Sequence, residues 1–132
     1  MKVSLACMLI GLVVSTGAAA SPAKYEAQRA IYGEMSQLRG QNAIAVAGDL
    51  PVRAKHSKAW MAVRDKAQKV FGEDHACYKA AFFSQSSWVA LVGTPTPQSM
   101  SGAASMAFQS GQWSTTCYDE IEKLSGTGMA SK

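Results

Sequence analysis

The sequence is poor in the residues that enzymes and metalloproteins most often use for chemistry. Its 132 residues include 3 cysteines and 2 histidines, and the histidines, His56 and His75, lie far apart in the chain. No H-E-x-x-H pattern and no cluster of cysteine and histidine is present, so the sequence does not indicate a zinc site. The absence of C-x-x-C-H excludes covalently attached c-type haem, and we predict no cofactor. G-x-S-x-G and G-K-S/T are absent too, which leaves no basis for a serine hydrolase or a P-loop protein.

The sequence also lacks an apolar run long enough to span a membrane. Its longest run, residues 5–14, has about 10 residues, whereas a membrane-spanning helix needs about 20. A lysine precedes this run, and Ala18 and Ala20 follow it at the −3 and −1 positions of a cleavage site before Ser21. This order of parts is that of a secretory signal peptide. We therefore predict that residues 1–20 are removed and that the mature protein is periplasmic or secreted.

Charge of one sign is not in large excess. The formal net charge is +4, and it becomes +3 when the segment that contains Lys2 is removed. A charge of this size does not predict binding to nucleic acid. The mature chain has the length of one ordinary domain. We predict a single helical domain over residues 21–125 and a flexible tail over residues 126–132.

Two cysteines lie outside the predicted signal peptide, and we expect them to form a disulfide. Cys77 and Cys117 make an even count in an oxidising compartment, where such pairs are usually bonded. Their spacing differs from the two-residue separation of redox-active pairs. In the chain-entropy model a bridge over about 40 residues stabilises the fold by about 3–4 kcal/mol.

Apolar periodicity predicts four helices and no strand. The predicted segments are 23–47, 54–71, 75–92 and 97–124. The apolar face of the second segment is formed by Trp60, Val63, Ala67 and Phe71. The fourth segment continues at helical spacing through Met100, Ala104, Ala107, Gly111 and Tyr118. Gly33 and Gly40 lie seven residues apart on one face, so we expect them to pack closely against another helix. Gly102 and Gly111 are candidate points at which the fourth helix kinks or splits.

Capping residues support the predicted boundaries. Gly72 suits the C-terminal cap of the second helix, and Asp74 is the predicted N-cap of the third. Thr96 and Pro97 are the expected N-cap and first helical residue of the fourth.

The third and fourth segments are joined by a short turn rich in proline, so they should pack antiparallel. With a rise of 1.5 Å per residue, Cys77 and Cys117 fall within about 6 Å of one level along this hairpin. The predicted architecture is a small all-α bundle of about four helices, in which one disulfide clips the hairpin of helices three and four.

The second helix has the most polarised surface. Its lysines fall within an arc of about 80°, opposite the apolar face; they are Lys55, Lys58, Lys66 and Lys69. Arg53 precedes them, and Asp65 is the only acidic residue in the segment. We interpret these basic residues as candidates for binding an acidic partner, and we expect all four lysines to be exposed. The alternative is the ordinary solvated face of an amphipathic helix.

Two weaker candidates lie in the last two helices. Asp119, Glu120 and Glu122 crowd the C-terminal turns of helix four, where negative charge is unfavourable to the helix dipole. They form either an acidic binding patch or a plain solvated face. The apolar stripe predicted for helix three is formed by Cys77, Ala81, Trp88 and Val92, and Phe83 lies nearly opposite it. It belongs to the core if that helix is central, and to an interface if the helix is peripheral.

The lack of a catalytic motif and the basic helix together favour a non-catalytic binding protein. Such a protein would present helix surfaces to another protein, as inhibitors, immunity proteins and chaperones of similar size do. A second hypothesis is a small helical enzyme of chorismate-mutase-like format. It requires at least two of four residues to converge in one pocket: Arg29, Arg39, Arg64 and Glu34. A third hypothesis is association with a membrane surface through helix two.

Overall fold

A computed structural model describes residues 22–126 of the chain. The predicted signal peptide, residues 1–20, lies outside the described residues, as do residues 127–132 of the predicted tail. The described part contains four helices and no strand: α1 (Pro22–Ala47), α2 (Leu50–Phe71), α3 (Ala76–Val92) and α4 (Pro97–Leu124). The prediction of a small all-α bundle is confirmed.

The helices follow one another up and down the bundle, because the connections between them are short. α3 packs most extensively against α4, and α2 packs against both α1 and α3. α1 has far fewer close approaches to α4. The seam between the first and last helices is therefore the least closed side of the bundle.

The core combines a few large side chains with many small ones. The largest side chains that are fully buried are Trp60, Trp88, Met35, Ile121, Cys77 and Cys117. The buried faces of α3 and α4 are otherwise made mostly of alanine and serine: Ala76, Ala80, Ala81, Ser84, Ala103, Ser110 and Ser114. Small side chains let helix axes approach closely, which accounts for the extensive packing of α3 on α4.

The disulfide between Cys77 and Cys117 joins α3 to α4 at the end of the hairpin away from its turn. Its Cα atoms are 4.6 Å apart, and both residues are fully buried. This pairing confirms the bond predicted from the sequence. We call this end of the molecule the disulfide end, and the end with the α1–α2 and α3–α4 connections the loop end.

Two helix boundaries differ from the prediction. α2 begins at Leu50 rather than at residue 54, because Asp49 is its N-cap and accepts a hydrogen bond from Val52 N at 3.1 Å. Pro51 lies in the first turn of α2, where its missing N–H has no intrahelical partner to lose. The N-cap of α3 is His75 rather than Asp74, since His75 Nδ1 accepts from Cys77 N at 3.1 Å.

The other cap predictions are confirmed. Gly72 ends α2 with a φ of 81°, a conformation that favours glycine. Thr96 caps α4 through a reciprocal pair of hydrogen bonds with Ser99, and Pro97 follows it.

The close packing expected at Gly33 and Gly40 is not found. A Cβ built on Gly33 or Gly40 meets nothing within 4 Å, so these residues face open space rather than a neighbouring helix. α1 instead buries Ile31, Met35 and Ala45 on its other face. Gly102 and Gly111 do not divide α4, which is continuous from Pro97 to Leu124.

Candidate functional site

An apolar groove lies between α1 and α2 at the loop end of the bundle. Its volume is about 360 Å³, and its lining residues are Leu38, Gln41, Ile44, Ala45, Val52, Lys55, His56 and Ala59. Ile44 is 76% exposed, and Leu50 beside it in the turn region is 78% exposed. We call this surface the α1/α2 groove. Large apolar side chains exposed to this degree around a concavity are typical of a binding surface.

The four lysines of α2 are all exposed, as predicted, but they do not have equal surroundings. Lys55 lines the α1/α2 groove, and Lys58 lies about one turn further along the same helix. Lys66 Nζ instead lies 3.1 Å from both carboxylate oxygens of Glu34 on α1. The structure therefore separates a basic pair beside the groove from the lysines near the disulfide end.

Arg53 has a structural contact that the sequence does not reveal. Its Nε and Nη2 atoms donate to the carbonyl oxygen of Val46 at 3.0 and 2.7 Å. Val46 lies in the last turn of α1, where carbonyl groups lack intrahelical donors. Arg53 thus ties the start of α2 to the end of α1, beside the groove.

A second candidate site lies along the seam between α1 and α4, over α3. A small polar cleft of about 80 Å³ is lined by Arg39, Asn42, Ser84, Ser87, Ala107 and Ser110. We call it the α1/α4 cleft. It adjoins an apolar groove of about 360 Å³, the α3/α4 groove, which is lined by Asn42, Ser87, Ala90, Leu91, Pro95, Met100, Ala103, Ala104 and Ala107. The two cavities share Asn42, Ser87 and Ala107.

Arg39 is the one charged residue among the described residues that line the α1/α4 cleft. Its Nη1 donates to Ser114 Oγ at 2.6 Å, and its Nε makes a long contact of 3.4 Å with the carbonyl oxygen of Met35. No acidic side chain pairs with it among residues 22–126. Burial lowers the pKa of Arg39 because it disfavours the charged form, although the nearby Tyr32 opposes this shift.

Asn42 connects the cleft to the buried aromatic residues. Its Oδ1 atom lies 3.0 Å from Trp60 Nε1 and 2.7 Å from His56 Nε2. An indole nitrogen can only donate, so the oxygen of the amide must face Trp60. The amide nitrogen of Asn42 then has no hydrogen-bond acceptor within residues 22–126.

His56 is buried between the two tryptophans. Its ring lies 4.5 Å from that of Trp88 and 6.3 Å from that of Trp60, with edge-to-face geometry in both pairs. Because Asn42 Oδ1 accepts from Nε2, the neutral ring carries its proton on that atom. Burial lowers the pKa of His56, which favours this neutral form.

The acidic residues of α4 lie at the disulfide end and are not equivalent. Asp119 and Glu122 are exposed, whereas Glu120 is half-buried. Glu120 Oε2 lies 2.9 Å from His75 Nε2, at ion-pair distance but without the alignment of a hydrogen bond. Burial lowers the pKa of His75; Glu120 opposes this shift and Lys24 adds to it. Glu120 therefore contacts the N-cap of α3 rather than standing free.

Phe83 is half-buried, between the two alternatives that the sequence left open. Its neighbour Phe82 is 41% exposed, and the two rings meet edge to face at 5.4 Å. Neither residue lines the grooves or the cleft described above.

The enzyme hypothesis requires at least two of its four residues to share a cavity, and of the four only Arg39 lines any of the three cavities described above. Arg39 lines the α1/α4 cleft, while Arg64 donates to Gln85 and Asp65, and Glu34 pairs with Lys66. Arg29 is exposed. Within residues 22–126 no group of three or more histidine, cysteine, aspartate or glutamate side chains could hold a metal ion. None of the described helices has both the length and the apolar character needed to cross a bilayer.

No family model, no curated protein and no solved structure matches this chain. The function is therefore inferred from the geometry of the molecule.

Sequence patterns missed most of the α1/α4 cleft. Asn42 lies in a polar stretch of α1, and Ser84, Ser110 and Ser114 lie in segments rich in small residues. The one available signal was helical spacing: Ser110 and Ser114 continue the series of small residues that leads to Cys117.

Proposed function

We propose that the protein is an exported, non-catalytic binding protein that holds a segment of another protein in the α1/α2 groove. The proposal that the protein is exported rests on the signal-peptide pattern of residues 1–20. The observation that carries the rest is a concave apolar surface, open to solvent, with a basic pair on its rim. The segment that fits this surface has apolar side chains next to acidic ones.

The apolar part of the argument concerns side chains that are exposed without any neighbour to cover them. Ile44, Leu50 and Val52 are all exposed at the α1–α2 connection. Removing one such side chain completely from water contributes about 1.5–3 kcal/mol. A partner that inserts apolar side chains between α1 and α2 would gain from covering Ile44 and Val52, which line the groove, in the manner of a helix lying in a groove.

The charge around the groove selects the partner. Within residues 22–126, Lys55 is the charged residue that lines the groove, and Lys58 adds a second positive charge about one turn away. The guanidinium of Arg53 lies close by, although its donors are engaged by Val46. Asp49 is the opposing charge nearby, and its carboxylate caps α2. Complementary acidic residues on the partner would speed association and fix its orientation.

The lining also supports binding rather than catalysis. His56 and Lys55 are its titratable side chains. The protonated nitrogen of His56 is engaged by Asn42, and Lys55 is exposed to solvent. General acid–base catalysis needs a proton-transferring group placed within hydrogen-bond reach of the reacting atom, and the buried ring of His56 is instead held by Asn42 and packed between Trp60 and Trp88.

The test compares proteins captured from the native exported fraction by the unaltered protein and by two variants. In the first variant Lys55 and Lys58 are changed to glutamate, and in the second Ile44 is changed to serine. Each captured protein is identified by mass spectrometry and purified, and its affinity is measured at low and moderate salt. We expect a partner whose affinity falls at least about tenfold in both variants and falls with added salt.

Matched controls separate this groove from the rest of the surface. Lys69→Glu reverses a charge on the same helix, about 21 Å from Lys55 at 1.5 Å per residue. Val89→Ser removes an exposed apolar side chain from α3, outside the groove. Both controls should bind the partner normally. Partners that bind all variants equally would contradict the proposal, as would self-association through Ile44 or binding of the lysines to anionic vesicles in place of a protein.

A further inference from the structure

The α1/α4 cleft presents hydrogen-bond donors that the protein itself does not use. Arg39 donates through Nη1 and Nε, and its Nη2 has no acceptor within residues 22–126. The amide oxygen of Asn42 accepts from His56 and Trp60, which leaves the two N–H groups of that amide for another acceptor. These donors are open to solvent, so an acceptor that binds here would replace the water at them.

The balance of charge in the cleft favours an anion. Its lining contains one guanidinium and no carboxylate. The serine hydroxyls are largely committed within the protein: Ser84 and Ser110 hydrogen-bond each other, and Ser87 donates to the carbonyl oxygen of Ala103 at 3.0 Å. Arg39 and Asn42 are therefore the groups that face an incoming ligand as donors.

The size of the cleft and its single positive charge define the anion. About 80 Å³ accommodates a small head group. A carboxylate carries one negative charge, which Arg39 alone can neutralise, and its two oxygens suit the planar donors of a guanidinium. A phosphate monoester carries between one and two negative charges at neutral pH and would leave part of that charge without a partner.

The adjoining α3/α4 groove indicates what is attached to the carboxylate. It is about 360 Å³ in volume and is lined mainly by alanine, leucine, methionine and proline. Asn42, Ser87 and Ala107 belong to both cavities, so one molecule can occupy both. Met100 is 66% exposed at the groove, and Leu91 is 48% exposed. An apolar ligand would cover both side chains and gain from their burial.

We infer that the α1/α4 cleft binds the carboxylate of a small amphiphile, whose hydrocarbon part lies in the α3/α4 groove. The geometry fits a monocarboxylate with an unbranched chain, such as a medium-chain fatty acid. Ligand sites of this kind are mostly apolar and have a few polar groups that fix the orientation of the ligand. This inference concerns a different surface from the α1/α2 groove and stands independently of the proposed function.

Decanoate is the probe, and the protein is used with its disulfide formed. Binding is measured by titration calorimetry and by the shifts of the Asn42 side-chain amide signals in NMR spectra. Decanol tests the hydrocarbon chain without the carboxylate, and acetate tests the carboxylate without the chain. We expect saturable binding of decanoate that is at least about tenfold tighter than that of decanol or acetate.

Arg39→Gln removes the charge from the cleft, and Arg29→Gln removes an exposed arginine from the same helix as a control. Ser114 keeps a hydrogen bond to the carbonyl oxygen of Ser110 in the first variant, so it is not left without a partner. We expect Arg39→Gln to weaken decanoate binding at least about tenfold and to leave decanol binding unchanged. Arg29→Gln should bind both molecules normally.

A second variant makes the test independent of the stability of the Arg39 variant. Ala107→Phe places a ring at the junction of the two cavities, and Ala107 is exposed, so the fold should tolerate it. Decanoate binding should be lost, whereas Ala62→Phe on the exposed face of α2 should leave it intact. No saturable binding of decanoate, or binding that neither Arg39→Gln nor Ala107→Phe weakens, would overturn the inference.

Discussion

Replacing Asn42 with alanine should destabilise the protein by about 2–3 kcal/mol, because the side chain is the acceptor for two buried donors. Trp60 is fully buried, and its indole N–H donates to Asn42 Oδ1 at 3.0 Å. Without that oxygen the indole N–H has no acceptor, which costs about 1–3 kcal/mol. His56 loses less, since its ring can move the proton from Nε2 to Nδ1.

Urea denaturation at pH 7.5, followed by tryptophan fluorescence, measures this loss. The free energy of unfolding of Asn42→Ala is compared with that of Gln41→Ala, a neighbouring exposed position. The informative companion is Asn42→Asp, which keeps an oxygen acceptor for Trp60 and His56 but replaces the N–H donors with negative charge. We expect it to be much more stable than the alanine variant at this pH, and yet unable to bind decanoate.

The reasoning would be refuted if Asn42→Ala lost less than about 0.5 kcal/mol, the ordinary range for surface substitutions. In that case the hydrogen bonds of Asn42 would not couple α1 to His56 and Trp60 of α2. An aspartate variant that bound decanoate as tightly as the unaltered protein would refute the role of the Asn42 amide in the cleft.

Two further predictions concern stability. Burial lowers the pKa values of both His56 and His75 in the folded state, so the unfolded state takes up protons more readily. Stability should therefore fall as the pH drops below about 6.5, by at most about 1.4 kcal/mol per pH unit for each histidine; urea midpoints that stay constant between pH 7 and 5 would contradict this. Changing both Cys77 and Cys117 to alanine opens a loop of sequence separation 40 and should cost about 4 kcal/mol in the chain-entropy model. Urea denaturation of the oxidised protein and of the double variant measures that cost, and equal unfolding free energies would show that the bridge does not stabilise the fold.

The features that could be predicted from the sequence depend on local signals. Helix positions follow from periodicity, and Gly72 and Thr96 mark their ends through backbone and capping chemistry that acts within a few residues. The disulfide followed from the count of cysteines and from a hairpin of two adjacent helices. The exposure of the lysines followed from the apolar face of a single helix.

The rotation of α4 about its axis could not be predicted in this way. The series at helical spacing that was predicted from its sequence includes Ala104, Ala107 and Gly111, and all three are exposed. The buried face instead carries Ser110 and Ser114, which hydrophobicity alone assigns to solvent. Serine can face the core of a helix bundle because its hydroxyl bonds to a carbonyl one turn earlier, as Ser114 does with Ser110 at 2.6 Å.

The α1/α4 cleft could not be predicted because its contacts join distant parts of the chain. Arg39 and Ser114 are 75 residues apart, and Asn42 meets Trp60 across two helices. Such contacts depend on how α1 is rotated and on how far it stands from α4. Sequence periodicity determines neither quantity when both helices carry small and polar residues on more than one face.

The placement of Arg39 supports a ligand more strongly than a purely structural role. Near the disulfide end, Tyr32 and Tyr118 close the α1/α4 seam with their rings 5.5 Å apart. Further along the seam, the chain places a guanidinium with no acidic partner among the described residues, beside an amide with spare donors. Apolar residues of similar volume would fill such a space at equal or greater stability, because a partly desolvated charge without a counter-charge is unfavourable. A residue that lowers the stability of the fold beside a cavity is expected where ligand binding offsets that loss.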